Sequence, residues 1–192
     1  MGGTLLYSEL YEIINNGPDI HIYKNLKNFI ETGTYKADTS IEMSKYFDNV
    51  YTIEILKNLV DESTDRAKKL HIKNITFLHG DTLNLLDEVM TYVVDEGGVF
   101  FLDAHQSGID TSNNGKQYVP LLEELNIILS SNKKLKPSLF ILDDVRFWKN
   151  NKQEAWDWSH ISYEVIIEIF KKYNISIASY FEENDRFWIF TN

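Results

Sequence analysis

Two acidic clusters in this chain have the residue types and spacing to hold a cation and activate a hydroxyl. Asp103 is followed two positions on by His105, and Asp143 stands directly before Asp144, Val145 and Arg146. Carboxylates brought together without a counterion repel, so at least one would take up a proton. A divalent cation removes that conflict, and an all-oxygen donor set selects Mg²⁺, Mn²⁺ or Ca²⁺ over zinc or copper. A metal so held acts as a Lewis acid and lowers the pKa of a bound hydroxyl. An imidazole alongside can accept the released proton, which makes His105 the candidate base. The plainer readings of His105 are a solvated loop residue or a side chain that only orients Asp103. Cysteine is absent, which excludes disulfides and thiolate chemistry.

An earlier set of residues suits a small organic cofactor. The segment Glu31-Thr32-Gly33-Thr34-Tyr35-Lys36-Ala37 carries a glycine where the backbone can turn sharply and a ligand can come close. Glu31 would repel a pyrophosphate but can serve an ammonium, directly or through water. No G-x-G-x-x-G occurs there, which disfavours a dinucleotide and a nicotinamide-dependent reductase. Glu54 can accept hydrogen bonds from both hydroxyls of a ribose, and Asp81 can meet an adenine amino group. Singly, each acid could be no more than a polar strand end. Three at successive strand ends are harder to dismiss.

The elements that must position these groups follow from hydrophobic periodicity and turn residues. Helical patterns cover residues 5–15, a stretch capped by Asp38 or Thr39 that runs to about 47, 57–70, 83–94, 121–129 behind Pro120, and 161–172. Strand patterns cover 28–31, 50–55, 75–78, 98–102, 138–142, 175–180 and 187–190. The runs at 98–102 and 138–142 are continuously apolar, as strands buried on both faces of a parallel sheet are. Strands alternating with helices imply βαβ units. The short link Glu182-Glu183-Asn184-Asp185 makes the last two strands an antiparallel hairpin. Each acid named above then ends a strand, the edge at which open α/β sheets bind ligands. No repeat or linker divides the chain, so residues 1–192 are expected to form one domain.

These residues resemble a known family. Glu31-Thr-Gly-Thr-Tyr35-Lys-Ala37-Asp-Thr39 is similar to the E-x-G-x-Y-x-G-x-S segment of the catechol O-methyltransferase group, with Ala37 for its glycine and Thr39 for its serine. The resemblance, over residues 29–146, implies a Rossmann-like class I methyltransferase fold. That is an α/β fold with helices on both faces of a seven-stranded, mostly parallel sheet of order 3-2-1-4-5-7-6. It implies S-adenosylmethionine as cofactor, with Glu31, Gly33, Tyr35 and Thr39 around its methionine part and Glu54 on its ribose; Thr34, Asp81 and Asp103 complete the expected cofactor site. It further implies a divalent metal, Mg²⁺ or Mn²⁺, on Asp103, Asp143 and Asp144. The double aspartate looks more like the macrocin-type sugar O-methyltransferases than the catechol enzymes. The lysine base of the catechol group is missing, because His105 and Gln106 follow Asp103; in the sugar enzymes the base is a carboxylate or histidine at that place, which His105 fits.

The acceptor expected from the resemblance is a sugar or glycan with vicinal hydroxyls, a deoxyhexose such as rhamnose foremost. Its pocket would draw on the polar loop 106–118 and on Arg146, Phe147, Trp148, Trp156 and Trp158; the Trp rings could instead cap the core, a reading of equal weight for Trp148 and Trp156. Catechols and other small aromatic diols stay open, as does a non-catalytic cofactor-binding module of a glycan-assembly protein. The net charge of −10 and the lack of a basic tract speak against nucleic acid and anionic membranes. No apolar run approaches the roughly 20 residues of a membrane span, and Met1–Leu6 lacks the pattern of a secretory signal, so a cytoplasmic location is expected.

Overall fold

The computed structural model describes residues 3–93, 95–105, 119–130, 135–149 and 157–192. The loop 106–118 and Trp156 lie outside them. In chain order the elements are α1 (Tyr7–Asn16), α2 (Ile20–Tyr23), β1 (Asn28–Thr32), α3 (Asp38–Met43), β2 (Asn49–Glu54), α4 (Lys57–Lys69), β3 (Ile75–His79) and α5 (Thr82–Val93). Then follow β4 (Val99–Leu102), α6 (Leu121–Ser130), β5 (Leu139–Leu142), α7 (Val145–Lys149), α8 (Tyr163–Lys172), β6 (Ile177–Glu183) and β7 (Arg186–Thr191).

The strands form one seven-stranded sheet in the order β3-β2-β1-β4-β5-β7-β6. Neighbours from β3 to β5 are parallel, and β7 is antiparallel to both β5 and β6. The expected order and closing hairpin are thus observed. Register places the site: Thr32 pairs with Ile53 and Leu102, and Leu102 with Leu142. The strands therefore end level, and residues 33, 54, 103 and 143 emerge along one edge.

Alternation along the central strands divides the core into two layers. Phe100, Leu102, Phe140 and Leu142 join Leu86, Val89, Leu125, Ile128, Ile166 and Phe170 of α5, α6 and α8 on one face. Val99, Phe101, Leu139 and Ile141 join Leu10, Ile13 and Met43 of α1 and α3 on the other. Covering both faces explains why β4 and β5 are apolar at every position.

Several details differ from the sequence expectations. The helix expected to reach about residue 47 stops at Met43, and turns carry the chain on to β2. The short helix α2 follows Pro18; Asp19 caps it by accepting the N–H groups of His21 and Ile22. The four-residue hairpin link is a two-residue turn, Asn184-Asp185, with φ of 54° and 63°. Asn and Asp tolerate that conformation, and such turns match the strand twist. Helix α7 starts immediately after Asp144, where the sequence reading placed no element. Among the described residues no helix is long and apolar enough to cross a membrane.

Candidate active site

At the end of β1 the chain folds back against β4. Gly33 has φ of +85°, and a Cβ there would fall 2.6 Å from the carbonyl oxygen of Asp103. Only glycine meets both demands. The amides of Gly33 and Thr34 donate to the carbonyl of Ile53 at 3.0 and 3.2 Å. Tyr35 and Ala37 also take left-handed φ values, 47° and 62°. The curled loop aims the Tyr35 N–H at Glu54, whose Oε2 accepts it at 2.8 Å while Oε1 accepts the Leu56 N–H at 2.9 Å. A carboxylate has roughly four acceptor positions, so each oxygen keeps one for a ligand.

Glu31 lies deeper, 2% exposed. Its Oε2 accepts hydrogen bonds from Ser40 and from Thr52 at 2.7 Å. Burial pushes its carboxyl up to about 7, against the pull of these hydroxyls and with a further push from the charge of Glu54. Thr34 hydrogen-bonds Thr52 at 2.5 Å. Thr39 faces Glu31 and also accepts the Leu5 N–H at 3.2 Å, tying the segment before α1 to this loop. Asp81 accepts the Leu83 N–H at 2.9 Å, at the start of α5 on the same sheet edge. Five of the expected cofactor residues (Glu31, Gly33, Thr34, Tyr35 and Glu54) therefore meet where β1 and β2 end, with Thr39 behind them and Asp81 beyond.

The second cluster sits one strand over. His105 Nε2 lies 2.9 Å from Asp144 Oδ2, and its Nδ1 lies 3.5 Å from Asp103 Oδ1. One donor atom from each of Asp103, His105 and Asp144 falls within 4.8 Å of the others, a spacing that suits a metal ion. Asp143 is placed differently. Its Oδ1 accepts the Asp144 N–H at 2.9 Å and lies 3.4 Å from Arg186 Nε, while its buried Oδ2 has no hydrogen-bond partner among the described residues. Asp144, left-handed at φ of 63°, also pairs with Arg146, which in turn holds Asp185 of the hairpin turn.

The electrostatics follow from this layout. Burial holds the Asp103 carboxyl well above the usual range, and the charges of Asp143, Asp144 and Glu31 add to it. Burial also pushes Asp143 up to about 6, in spite of the Arg186 guanidinium. Burial acts upward on Asp144 too, but the His105 hydrogen bond and charge and the Arg146 guanidinium outweigh it and hold that carboxyl low. The aromatic rings of Trp158 and Phe147 present an edge-on arrangement to His105, with centroids 5.2 and 6.4 Å away. Trp158 is 3% exposed and belongs to the core while touching the site. Trp148 is core outright, packed on Tyr163 and Phe187.

A small cavity opens beside His105, lined among others by Asp103, Glu124, Asp143 and Trp158. Glu124 was not singled out in the sequence, because its place in α6 reads as an ordinary charged helix position. In the structure it is 1% exposed, and burial raises its carboxyl to about 8. Arg186 was missed as a site residue for another reason: its partners Glu9 and Asp143 stand far from it in the chain, whereas Arg146, expected in the acceptor pocket, pairs with Asp144 and Asp185. The pairing of Leu142 with Phe187 in β5 and β7 is what sets Arg186 opposite Asp143.

No protein-family model matches the chain, and no curated protein is similar to it in sequence. Solved structures are similar in fold. The PH0226 protein of Pyrococcus horikoshii OT3 superposes with a TM-score of 0.59 at 14% identity, over 97% of this chain and 90% of that one. A candidate caffeoyl-CoA O-methyltransferase of Staphylococcus aureus gives 0.56 at 18% identity, over 96% and 90%. The O-methyltransferase TomG of Streptomyces achromogenes, solved in complex with S-adenosylmethionine, gives 0.54 at 11% identity, over 95% and 78%. The likeness is one of fold: the chain has the Rossmann-like class I methyltransferase fold.

Proposed function

We propose that this chain is an S-adenosylmethionine-dependent O-methyltransferase that uses a divalent metal, Mg²⁺ or Mn²⁺, to methylate a hydroxyl of a sugar or glycan. The observation that carries the reading is the acid–histidine cluster Asp103–His105–Asp144, set directly beside the Gly33–Glu54 loop where the strand order reverses. Ligands of open α/β sheets bind at that reversal. The O-methyltransferase TomG shares the fold and is known with S-adenosylmethionine bound.

The residues present fit both groups. Glu54 is held by two amides and keeps acceptor positions for a ribose diol. Glu31, at the methionine end, offers a carboxyl to an ammonium, and hydroxyls of Ser40 and Thr52 steady it. Asp103 and Asp144 converge, and Asp143, whose Oδ2 has no hydrogen-bond partner among the described residues, lines the same cavity as Asp103. Such a donor set matches a hard cation.

When bound, S-adenosylmethionine supplies a methyl on a sulfonium that a deprotonated hydroxyl can displace. A divalent metal, which Asp103, Asp143 and Asp144 would hold, would supply positive charge to lower the acceptor's pKa and offset the repulsion among the three aspartates. His105, fixed in place by Asp144 and by the edges of Trp158 and Phe147, would take the proton. Arg146 and Arg186 keep Asp144 and Asp143 oriented. Positioning and charge stabilisation carry the rate.

A small aromatic diol is the second reading, favoured by the Phe147 and Trp158 rings beside His105; turnover of catechol but of no sugar would select it. The test of the main reading is chelation. Protein stripped with a chelator is expected to lose turnover and regain it with Mg²⁺ or Mn²⁺, and full activity in the chelator would remove the metal from the reaction. His105→Gln is expected to lower turnover about 100-fold or more, the scale of a lost general base, with metal affinity by calorimetry unchanged. A parallel fall in metal affinity would make His105 a ligand instead.

A further inference from the structure

Neither the packing nor the reaction above uses the carboxyl of Glu124. Its Oε2 accepts a hydrogen bond from the Thr32 hydroxyl at 3.3 Å, and the same hydroxyl accepts the N–H of Asp103 at 3.3 Å. The Glu124 carboxyl is thereby fixed to the backbone of Asp103. Its Oε1 is buried and accepts no well-formed hydrogen bond among the described residues, with the Thr82 hydroxyl facing the carboxyl and pulling its pKa down against burial. A helix in an apolar layer has no structural need of an open acceptor, since leaving one unpaired destabilises the fold. The cavity that Glu124 lines also contains Asp103, His105 and Asp143, while Glu31, Glu54 and Asp81 do not reach it. That sets Glu124 beside the proposed base and metal-holding acids, with the charge of Asp81 also acting on its carboxyl.

We propose that Glu124 is an acceptor-recognition residue, its open oxygen hydrogen-bonding a non-reacting hydroxyl of a polyol or sugar seated beside Asp103 and His105. This rests on the O-methyltransferase reading and adds the acceptor's chemistry to it. A buried polar group left unpaired discriminates strongly against an analogue that lacks the matching donor. The acceptor is therefore a molecule with at least one hydroxyl beyond the pair at the metal. L-Rhamnose has such a hydroxyl and catechol does not.

The experiment measures L-rhamnose and catechol affinity by calorimetry and saturation-transfer NMR. It uses protein loaded with S-adenosylhomocysteine and Mg²⁺, comparing wild type with Glu124→Leu and Glu124→Gln. Glu124→Leu is expected to weaken L-rhamnose at least tenfold while changing S-adenosylhomocysteine and catechol less than twofold. Glu124→Gln, which offers an acceptor and a donor of the same shape, is expected to stay within about threefold of wild type. Equal rhamnose affinity in wild type and Glu124→Leu overturns the proposal. So do a catechol loss in step with rhamnose, which marks a structural role, and a wild type that binds S-adenosylhomocysteine but no rhamnose. A wild type that binds no S-adenosylhomocysteine overturns the methyltransferase reading itself.

Discussion

Gly33 shows how one residue can be fixed by two independent demands. Its φ of +85° disfavours any side chain, and the space for a Cβ is taken by the Asp103 carbonyl at 2.6 Å. Gly33→Ala must therefore strain the loop or push the ends of β1 and β4 apart. It is expected to cost about 2–4 kcal/mol in a urea denaturation curve, and to weaken S-adenosylhomocysteine binding, because Tyr35 and Glu54 depend on the same turn. A loss under about 0.5 kcal/mol would mean that the strands part without penalty. Ala37 is the milder case. It occupies a left-handed position, φ 62°, at the place where the similar family motif has glycine. The methyl group is tolerated at the order of 1 kcal/mol such conformations cost, so that departure from the motif leaves the loop's course intact. The acids that end the strands could be read from the sequence one by one. Glu124 could not, since burial is a property of the packed helix and not of the letter.

At the scale of elements, the site is held from behind by the hairpin. Arg186, the first residue of β7, pairs with both oxygens of Glu9 in α1 at 2.8 and 2.7 Å, donates to the Gly3 carbonyl at 2.6 Å, and faces Asp143 at 3.4 Å. One guanidinium thus links the N-terminal helix, the hairpin and the end of β5. Removing one partner from a buried ion pair leaves the others uncompensated and costs on the order of 3–5 kcal/mol. Arg186→Leu is expected to lose about that much stability, read from the urea midpoint, and to loosen α1 in hydrogen exchange. An unchanged midpoint would show that Glu9 and Asp143 are solvated enough to stand alone. The neighbouring turn acts in parallel: Asp185 accepts the Arg146 N–H at 2.7 Å and binds its guanidinium, which anchors α7 directly behind Asp144. This tertiary anchor holds the start of the helix, which follows directly on Asp144.

At the scale of the whole molecule, buried acids make stability depend on pH in an unusual direction. Burial holds the Glu31 carboxyl near 7 and that of Glu124 near 8, both above an ordinary glutamate. The folded state therefore binds more protons than the unfolded state between about pH 4.5 and these values. Stability is fullest below that window and falls as pH rises through it. Asp144, held low, contributes stability that is lost only in acid, so it does not offset the trend. The unfolding free energy from urea denaturation is expected to drop between pH 5.5 and pH 8, by an amount on the order of a few kcal/mol, and Glu124→Gln to flatten part of the slope. A free energy that rises over that range would contradict the burial of these groups. The net charge of −10 works the same way, since added negative charge is self-repulsive.

What the sequence determined alone was periodic and local. Apolar runs at 98–102 and 138–142, helical stripes between strands, and acids at successive strand ends are written in consecutive letters, and from them the sheet and the edge on which those acids stand could be foretold. What the tertiary structure decided was which distant groups meet. His105 comes to rest between Asp103 and Asp144, Arg186 behind Asp143, and Glu124 under the floor of the cavity. The reason is physical. Secondary structure answers to neighbours a few residues apart, whereas charge pairing and burial depend on strand register and helix packing across the whole chain.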